Sequence, residues 1–297
     1  MKLHTRRAVC AALLASALSV FAFAGTASAK LTGEYTVFQQ CPYTSAETNR
    51  CLFSVTKGGE VILGKKKVPI VNPVTLQGGY TEPVEEFSKL IPAKNGVTLS
   101  KTPQPVPGGL AGLVNCKEIS NFLLRISCEV TFENGLTGVN TTLELAKPVS
   151  EVRLSEVHLA EEEEVALKMP VKVHLENPLL GSSCYVGSSS SPIVLELTSG
   201  STSPPPPNTS ITGTAGKFEF LENNRILRLS GAKLVDNAWS APGASGCGGF
   251  LVELLLDPII NASVGVPSAA GHNTAILENN ISIATAIAVK KNDETNP

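Results

Sequence analysis

Apolar side chains recur at every second position along several short segments of this chain, and this pattern constrains its fold most. Residues 137–145, 171–175 and 281–289 all show it. In the first segment, Val139 and Leu143 fall on one face, because successive side chains of an extended chain point to opposite sides. The period of two predicts half-buried strands rather than amphipathic helices.

Other segments rich in Val, Ile, Leu and Phe stand between Gly, Pro and Asn residues, which are typical of turns. Asn134-Gly135 and Asn223-Asn224 each predict a hairpin turn. The predicted strands are 31–38, 52–56, 61–63, 68–71, 127–132, 137–145, 171–175, 193–197, 218–221, 226–229 and 281–289, with turns at 57–59 and 64–67.

Helical patterns are fewer. Glu82 to Leu90 has Pro83 near its start, which suits the first turn of a helix. Gly249 to Ala262 carries apolar residues four apart, although Asp257-Pro258 could interrupt a helix there. We therefore predict a mainly β protein with antiparallel sandwich- or barrel-like sheets, a few short helices and disulfide staples.

The first 29 residues have the order of a secretory signal peptide. Lys2, Arg6 and Arg7 precede an apolar run, which ends in the small residues Ala27-Ser28-Ala29. The pattern predicts a secreted protein that begins near Lys30.

Six cysteines follow the signal peptide: Cys41, Cys51, Cys116, Cys128, Cys184 and Cys247. An even number in an exported chain predicts disulfides, and six cysteines allow fifteen pairings. Their spacing favours the pairs 41–51, 116–128 and 184–247. Because no two cysteines have the close spacing of zinc ligands, we expect no metal site among them.

The charge balance weighs against nucleic acid as a partner. Without the signal peptide, 21 Lys and Arg face 26 Asp and Glu, a net charge of about −5, whereas nucleic-acid binding needs a basic surface. After the signal, no run reaches the 18 apolar residues expected of a transmembrane helix. We expect a product of the extracellular space or the cell envelope.

The sequence leaves the number of domains open. Residues 30–148 and 149–297 could form two β regions, or both could belong to one domain. Three segments are predicted to be loops: residues 103–112, 182–191 and 199–208, the last with four consecutive prolines.

Motifs for catalysis are weak. Gly59 to Lys65 resembles a phosphate-binding loop, but Lys66 stands where the motif needs Ser or Thr. We find no GxSxG motif, and Cys247, between glycines, is expected in a disulfide. The acidic clusters Glu85-Glu86 and 161–164 are interpreted as solvated surface.

His158 and His174 lie beside alternating apolar residues, so both are expected to be solvated. His272 lies between Gly271 and Asn273 and is the best candidate for a general base. Without a marked nucleophile, we expect it to be an ordinary loop residue. The sequence thus predicts no catalytic residues, no cofactor and no metal.

Three stretches resemble uncharacterised exported proteins of high-GC actinobacteria. They are Asn177 to Gly187, Pro204 to Pro207 and Ser268 to Asn273. The resemblance implies no activity, ligand or cofactor.

Three functions remain open. The favoured one is a secreted, non-catalytic binding or structural protein. The second is a module that binds an apolar ligand in a cavity between sheets, and the third is an extracellular hydrolase. An apolar cavity with a few polar groups would favour the second.

Overall fold

The computed structural model describes residues 31–109, 120–123, 125–126, 138–248 and 253–295, and these are mainly β. The strands are β1 (Arg50–Leu63), β2 (Lys66–Pro69), β3 (Val74–Tyr80), β4 (Ser88–Ile91), β5 (Gln104–Pro105), β6 (Asn140–Leu145), β7 (Arg153–Leu154), β8 (Leu167–Glu176), β9 (Tyr185–Val186), β10 (Ile193–Leu197), β11 (Lys217–Leu221), β12 (Ile226–Asp236), β13 (Ala244–Ser245) and β14 (Thr274–Thr285). The helices are α1 (Glu156–Glu161), α2 (Glu253–Val264) and α3 (Ala286–Thr295), with 3₁₀ helices at Gly33–Phe38 and Val149–Glu151.

Eight antiparallel strands form a closed ring in the order β12, β14, β1, β3, β4, β7, β8 and β10. The ring closes where β10 runs into Thr198, which forms a bridge with Val235 of β12. Closure leaves the strands of the ring with few unpaired edges. The predicted sheet is therefore barrel-like rather than a sandwich.

The two halves of the ring use different short strands. β3, β4 and β7 connect the first halves of β1 and β8. Beyond them, β2 pairs with the end of β1, whereas β6 pairs with the end of β8 and carries β5. The first layer of the ring thus contains β3, β4 and β7, and the ends of the long strands β1 and β8 extend past it. Together with β2, β5 and β6, these ends form a second layer.

Two β-bulges lie opposite each other across β14. On β1 the register shifts between Thr56 and Gly58, and on β12 it shifts between Ser230 and Ala232. Both shifts occur beside Asn279 of β14. Each bulge adds one residue to its strand, and a bulge bends the strand that carries it.

The inner face of the ring holds the main hydrophobic core, whereas a smaller cluster covers part of the outside. In that cluster, Tyr35 and Phe38 of the first 3₁₀ helix pack with Val289 of α3. The disulfide Cys41–Cys51 lies in the same cluster and ties the N-terminal segment to β1. It is one of the predicted pairs.

The second disulfide joins Cys184 to Cys247, also as predicted. Cys184 immediately precedes β9 and Cys247 follows β13, and these two short strands pair with each other. The bond therefore links two segments that are 63 residues apart in sequence. Cys116 and Cys128, the third predicted pair, lie outside the described residues.

Most strand predictions are confirmed. The segments at 171–175 and 193–197 lie within β8 and β10, and the hairpin across Asn223-Asn224 joins β11 to β12. Both turn asparagines have positive φ angles, which Asn tolerates better than most residues. The predicted strand at 127–132 lies outside the described residues, whereas β6 forms within 137–145. The helix predicted at 249–262 is present as α2, with Pro258 inside it.

Two of the three predicted loops contain short strands, β5 in 103–112 and β9 in 182–191. Four further local predictions are wrong. Residues 31–38 hold a 3₁₀ helix, and 82–90 form a turn and β4 instead of a helix. The strand predicted at 281–289 ends at Thr285, where α3 begins, because tertiary packing of Val289 overrides its β-branched character. The turn predicted at 57–59 is the bulge of a continuous strand.

None of the helices in the described ranges combines the length and apolar character needed to cross a membrane.

Candidate ligand cavity

A cavity of about 130 Å³ lies inside the closed sheet. Its walls come from β1, β2, β3, β5, β6, β8, β10, β12 and β14, together with the end of α2. Apolar side chains of the wall include Val61, Leu63, Leu76, Leu143, Met169, Val171, Val173, Leu195, Leu234 and Leu277.

The alternation along β8 shows why the wall is apolar. Leu167, Met169 and Val171 point inward, whereas Lys168 and Lys172 point to the other face, where they form ion pairs. An antiparallel strand with one buried face requires this arrangement. The period-two pattern in the sequence therefore builds the cavity wall directly.

The side chain of Gln104 joins β5 to the segment that follows β2 in the second layer of the ring. Gln104 of β5 is buried, and its Oε1 accepts hydrogen bonds from the backbone N–H groups of Val71 and Asn72, each at 2.9 Å. Its Nε2 donates to the backbone oxygen of Asn72 at 2.8 Å. These bonds link β5 to the segment after β2, where Ile70 and Thr102 line the cavity and are partly exposed. This part of the wall is therefore partly open to solvent.

Three polar side chains interrupt the apolar wall at the level of the bulges. Thr56 Oγ1 donates to Asn279 Oδ1 at 2.6 Å, and Asn279 Nδ2 donates to the backbone oxygen of Leu277 at 2.9 Å. Ser54 also lines the cavity, and within the described residues its hydroxyl has no hydrogen-bond partner. The cavity thus offers one free hydroxyl beside a paired hydroxyl and amide.

The sequence interpretation did not single out Ser54, Thr56 or Asn279. A signal for them does exist, because each is a polar residue in the inward phase of an apolar alternation. Ser54 and Thr56 follow Leu52, and Asn279 precedes Ile281. A polar residue at a core position needs a hydrogen-bond partner or a function.

The side chains that line the cavity carry almost no charge. Among the described lining residues, Lys66 is the only charged one, and it lies in β2 with partial exposure. A charged ligand would lose its hydration without gaining a counter-ion deep in the cavity. The arrangement therefore suits an uncharged molecule.

The three histidines within the described residues do not line this cavity. His272 is exposed in a turn, where its backbone N–H donates to the oxygen of Ala269 at 3.3 Å. Within the described residues, no hydroxyl or carboxylate is hydrogen-bonded to its ring. His272 therefore occupies the loop position that the sequence predicts for it.

The expectation that His158 and His174 are solvated is wrong. His158 is 7 % exposed, because it lies in α1 under Phe87, rather than in a strand. His174 is only partly exposed, since its ring stacks on Tyr185 at 4.4 Å between ring centroids. Lys172 also lies over that tyrosine ring.

The other sequence candidates have structural roles or lie at the surface. Cys247 is held in its disulfide, and residues 59–63 of the phosphate-loop-like motif belong to β1. Glu85, Glu86 and residues 161–164 are exposed, as expected.

No protein-family model matches this sequence, and no curated protein or solved structure is significantly similar to it.

Proposed function

We propose that this protein is a secreted, non-catalytic binding protein that takes up a small, uncharged, mainly apolar molecule inside its closed sheet. The observation that carries this proposal is the apolar cavity with its few polar groups. Such sites are typical of ligand binding, with polar groups that orient the ligand. The signal-peptide pattern and the two disulfides support a location outside the cytoplasm.

The volume limits the size of the ligand. An apolar protein cavity of roughly 150 Å³ stays dry and accepts benzene, and this cavity measures about 130 Å³. The ligand, or the part of it that enters, should therefore match a benzene ring or a short alkyl chain. Ser54 could bond to one hydroxyl or carbonyl group of such a ligand.

Methyl-detected NMR of the protein, purified with its disulfides intact, would test this function. We would titrate benzene, toluene, hexane and 1-hexanol while following the methyl groups of Val171, Val173 and Leu195. Saturable shifts confined to the cavity are expected, with a Kd on the order of 1 mM or tighter for ligands this small.

A matched pair of variants separates the cavity from the surface. Val173→Phe fills the cavity and should abolish the shifts. Val194→Phe adds the same ring on the outer face of β10 and should leave them unchanged, because Val194 alternates with the inward Leu195. Shifts absent for all four compounds, or unaffected by Val173→Phe, would contradict the proposal.

A further inference from the structure

Three potential metal ligands converge on the outside of the ring, away from the cavity. They are the carboxylates of Glu86 and Glu164 and the imidazole of His158, whose ligand atoms all lie within 4.8 Å of one another. Glu86 comes from the turn before β4, His158 from α1 and Glu164 from the loop before β8. The fold therefore brings together three segments that are separate in sequence.

The histidine is held in the orientation of a metal ligand. Its Nδ1 lies 2.9 Å from the backbone oxygen of Val165. Since a carbonyl oxygen only accepts, Nδ1 must carry the proton, and a neutral ring then presents the lone pair of Nε2. Metal-bound histidines commonly have their second nitrogen fixed in this way. Nε2 points toward Glu86, with 3.4 Å between Nε2 and Oε2.

His158 is buried, and neighbouring residues restrict the position of its ring. His158 is 7 % exposed, and the ring of Phe87 meets it edge-on with 5.6 Å between centroids. At the start of α1, Ser155 Oγ accepts a hydrogen bond from the backbone N–H of His158 at 3.3 Å. The imidazole is thus held by the Phe87 ring and by the backbone oxygen of Val165, while its Nε2 edge faces the carboxylates.

The turn that carries Glu86 is also tightly formed. Val84 and Phe87 exchange backbone hydrogen bonds of 2.9 and 3.3 Å. Glu85, between them, adopts a φ of 61°, a left-handed conformation that is uncommon for residues other than Gly and Asn. This conformation helps to place Glu86 beside the histidine.

Among the residues that the structure describes, no Lys or Arg forms an ion pair with either carboxylate. Within the described residues, Glu164 has no ion pair or hydrogen bond, and the only partner of Glu86 is His158. With a neutral imidazole, the cluster carries a charge of −2. A divalent cation would neutralise it.

We propose that Glu86, His158 and Glu164 bind one zinc ion. Zinc accepts His nitrogen and carboxylate oxygen at about 2.0–2.2 Å, so two ligands of a tetrahedral site stand about 3.4 Å apart. The distance between His158 Nε2 and Glu86 Oε2 has this value. Calcium and magnesium prefer all-oxygen sites, whereas imidazole favours zinc and its neighbours. Water would complete the coordination, and the ion would fasten the turn before β4 to α1.

Isothermal titration calorimetry would test this site. The protein, with disulfides intact and stripped with EDTA, would be titrated with zinc chloride at pH 7.5. One zinc ion per chain is expected, with no response to calcium or magnesium chloride. Glu86→Gln and Glu164→Gln should each weaken binding at least ten-fold. Glu161→Gln, which removes a charge from the same exposed acidic run, should leave the affinity unchanged.

NMR of the ¹⁵N-labelled imidazoles identifies the histidine that takes the metal. Zinc should move the Nε2 resonance of His158 and leave those of His174 and His272 in place. The proposal is wrong if zinc produces neither heat nor a shift of His158, if it shifts another histidine instead, or if both glutamine variants bind as well as the parent protein. A His158 ring protonated on both nitrogens and unchanged by zinc would identify a His158–Glu86 ion pair instead.

Discussion

Thr198 and Val235 exchange two backbone hydrogen bonds, of 2.9 Å from the N–H of Thr198 and 2.8 Å from that of Val235. This bridge joins the end of β10 to β12 and closes the ring of strands. Beside it, the backbone N–H of Glu196 in β10 donates to Asp236 Oδ2 of β12 at 2.7 Å. The residues are far apart in sequence, so their pairing depends on the complete sheet.

Replacing Val235 with proline should therefore open the ring. Proline has no N–H, so it removes the hydrogen bond that Val235 donates to Thr198. Leaving the acceptor without a partner should cost about 1–3 kcal/mol. Val235→Ala keeps the hydrogen bonds and loses only buried methyl groups. Urea unfolding should show a clearly larger loss of stability for Val235→Pro, whereas equal losses would mean that the bridge contributes little.

The two observed disulfides should differ in their contributions to stability. Cys184–Cys247 spans 63 residues and Cys41–Cys51 spans 10. The loop-entropy model gives roughly 4 kcal/mol for the longer loop and roughly 3 kcal/mol for the shorter one. Unfolding of the double serine variants should therefore show a greater loss for the 184–247 pair. The reverse order would show that native packing around Cys41 outweighs loop entropy.

The polar groups of the cavity predict opposite effects for two small substitutions. Ser54→Ala removes a hydroxyl without a partner among the described residues, so stability should be unchanged or rise by up to about 1 kcal/mol. Thr56→Val removes the donor to Asn279 Oδ1 and should cost about 1–3 kcal/mol. Thermal and urea unfolding would measure both. A marked loss for Ser54→Ala would mean that its hydroxyl already has a partner in the folded protein.

Glu144 predicts a loss of stability in acid. Burial alone would raise the pKa of this carboxyl, but the hydrogen bonds and charges of Lys101 and Lys172 outweigh burial and hold the pKa below 4.5. A lowered pKa means that the unfolded chain binds the proton more tightly than the folded one. The stabilisation is therefore present above pH 4.5 and is lost as the pH falls through the lower, folded pKa.

In urea unfolding between pH 3 and 7, Glu144→Gln should weaken this dependence on pH. Glu219→Gln is a suitable control, since Glu219 pairs with the exposed Lys217 on an outer strand. Identical pH profiles for Glu144→Gln and the parent protein would refute the assignment.

The sequence predicts the positions of individual strands better than it predicts the closure of the ring. The alternation in residues 171–175 is enough to place β8 and its inward face, because burial of one face demands a period of two. Nothing in residues 193–198 indicates that the end of this segment meets Val235. That contact depends on the accumulated twist of the strands between them.

The two candidate sites are also hard to predict from the sequence, because each depends on contacts between distant segments. Ser54 and Asn279 are polar residues within apolar alternations and could have been flagged, but their meeting in one cavity depends on strand register. Val157 and Leu159 alternate with His158 as in a strand, but all three residues belong to a short helix. Only the fold shows that Glu86, more than seventy positions away, lies beside its ring.

The paired bulges have a consequence for deletions in the gene. Lys57 and Gly231 are the extra residues of β1 and β12, and neither is paired in register with a residue of β14. The backbone N–H of Gly231 donates instead to the side-chain Oδ1 of Asn280 at 3.0 Å. Loss of either codon would straighten its strand, yet every remaining residue could keep its neighbour and its side of the sheet. Loss of a codon elsewhere in these strands would turn inward residues outward until the bulge absorbed the shift. Each of these two strands thus contains one residue whose deletion should leave the inward and outward side chains of the strand on their original faces.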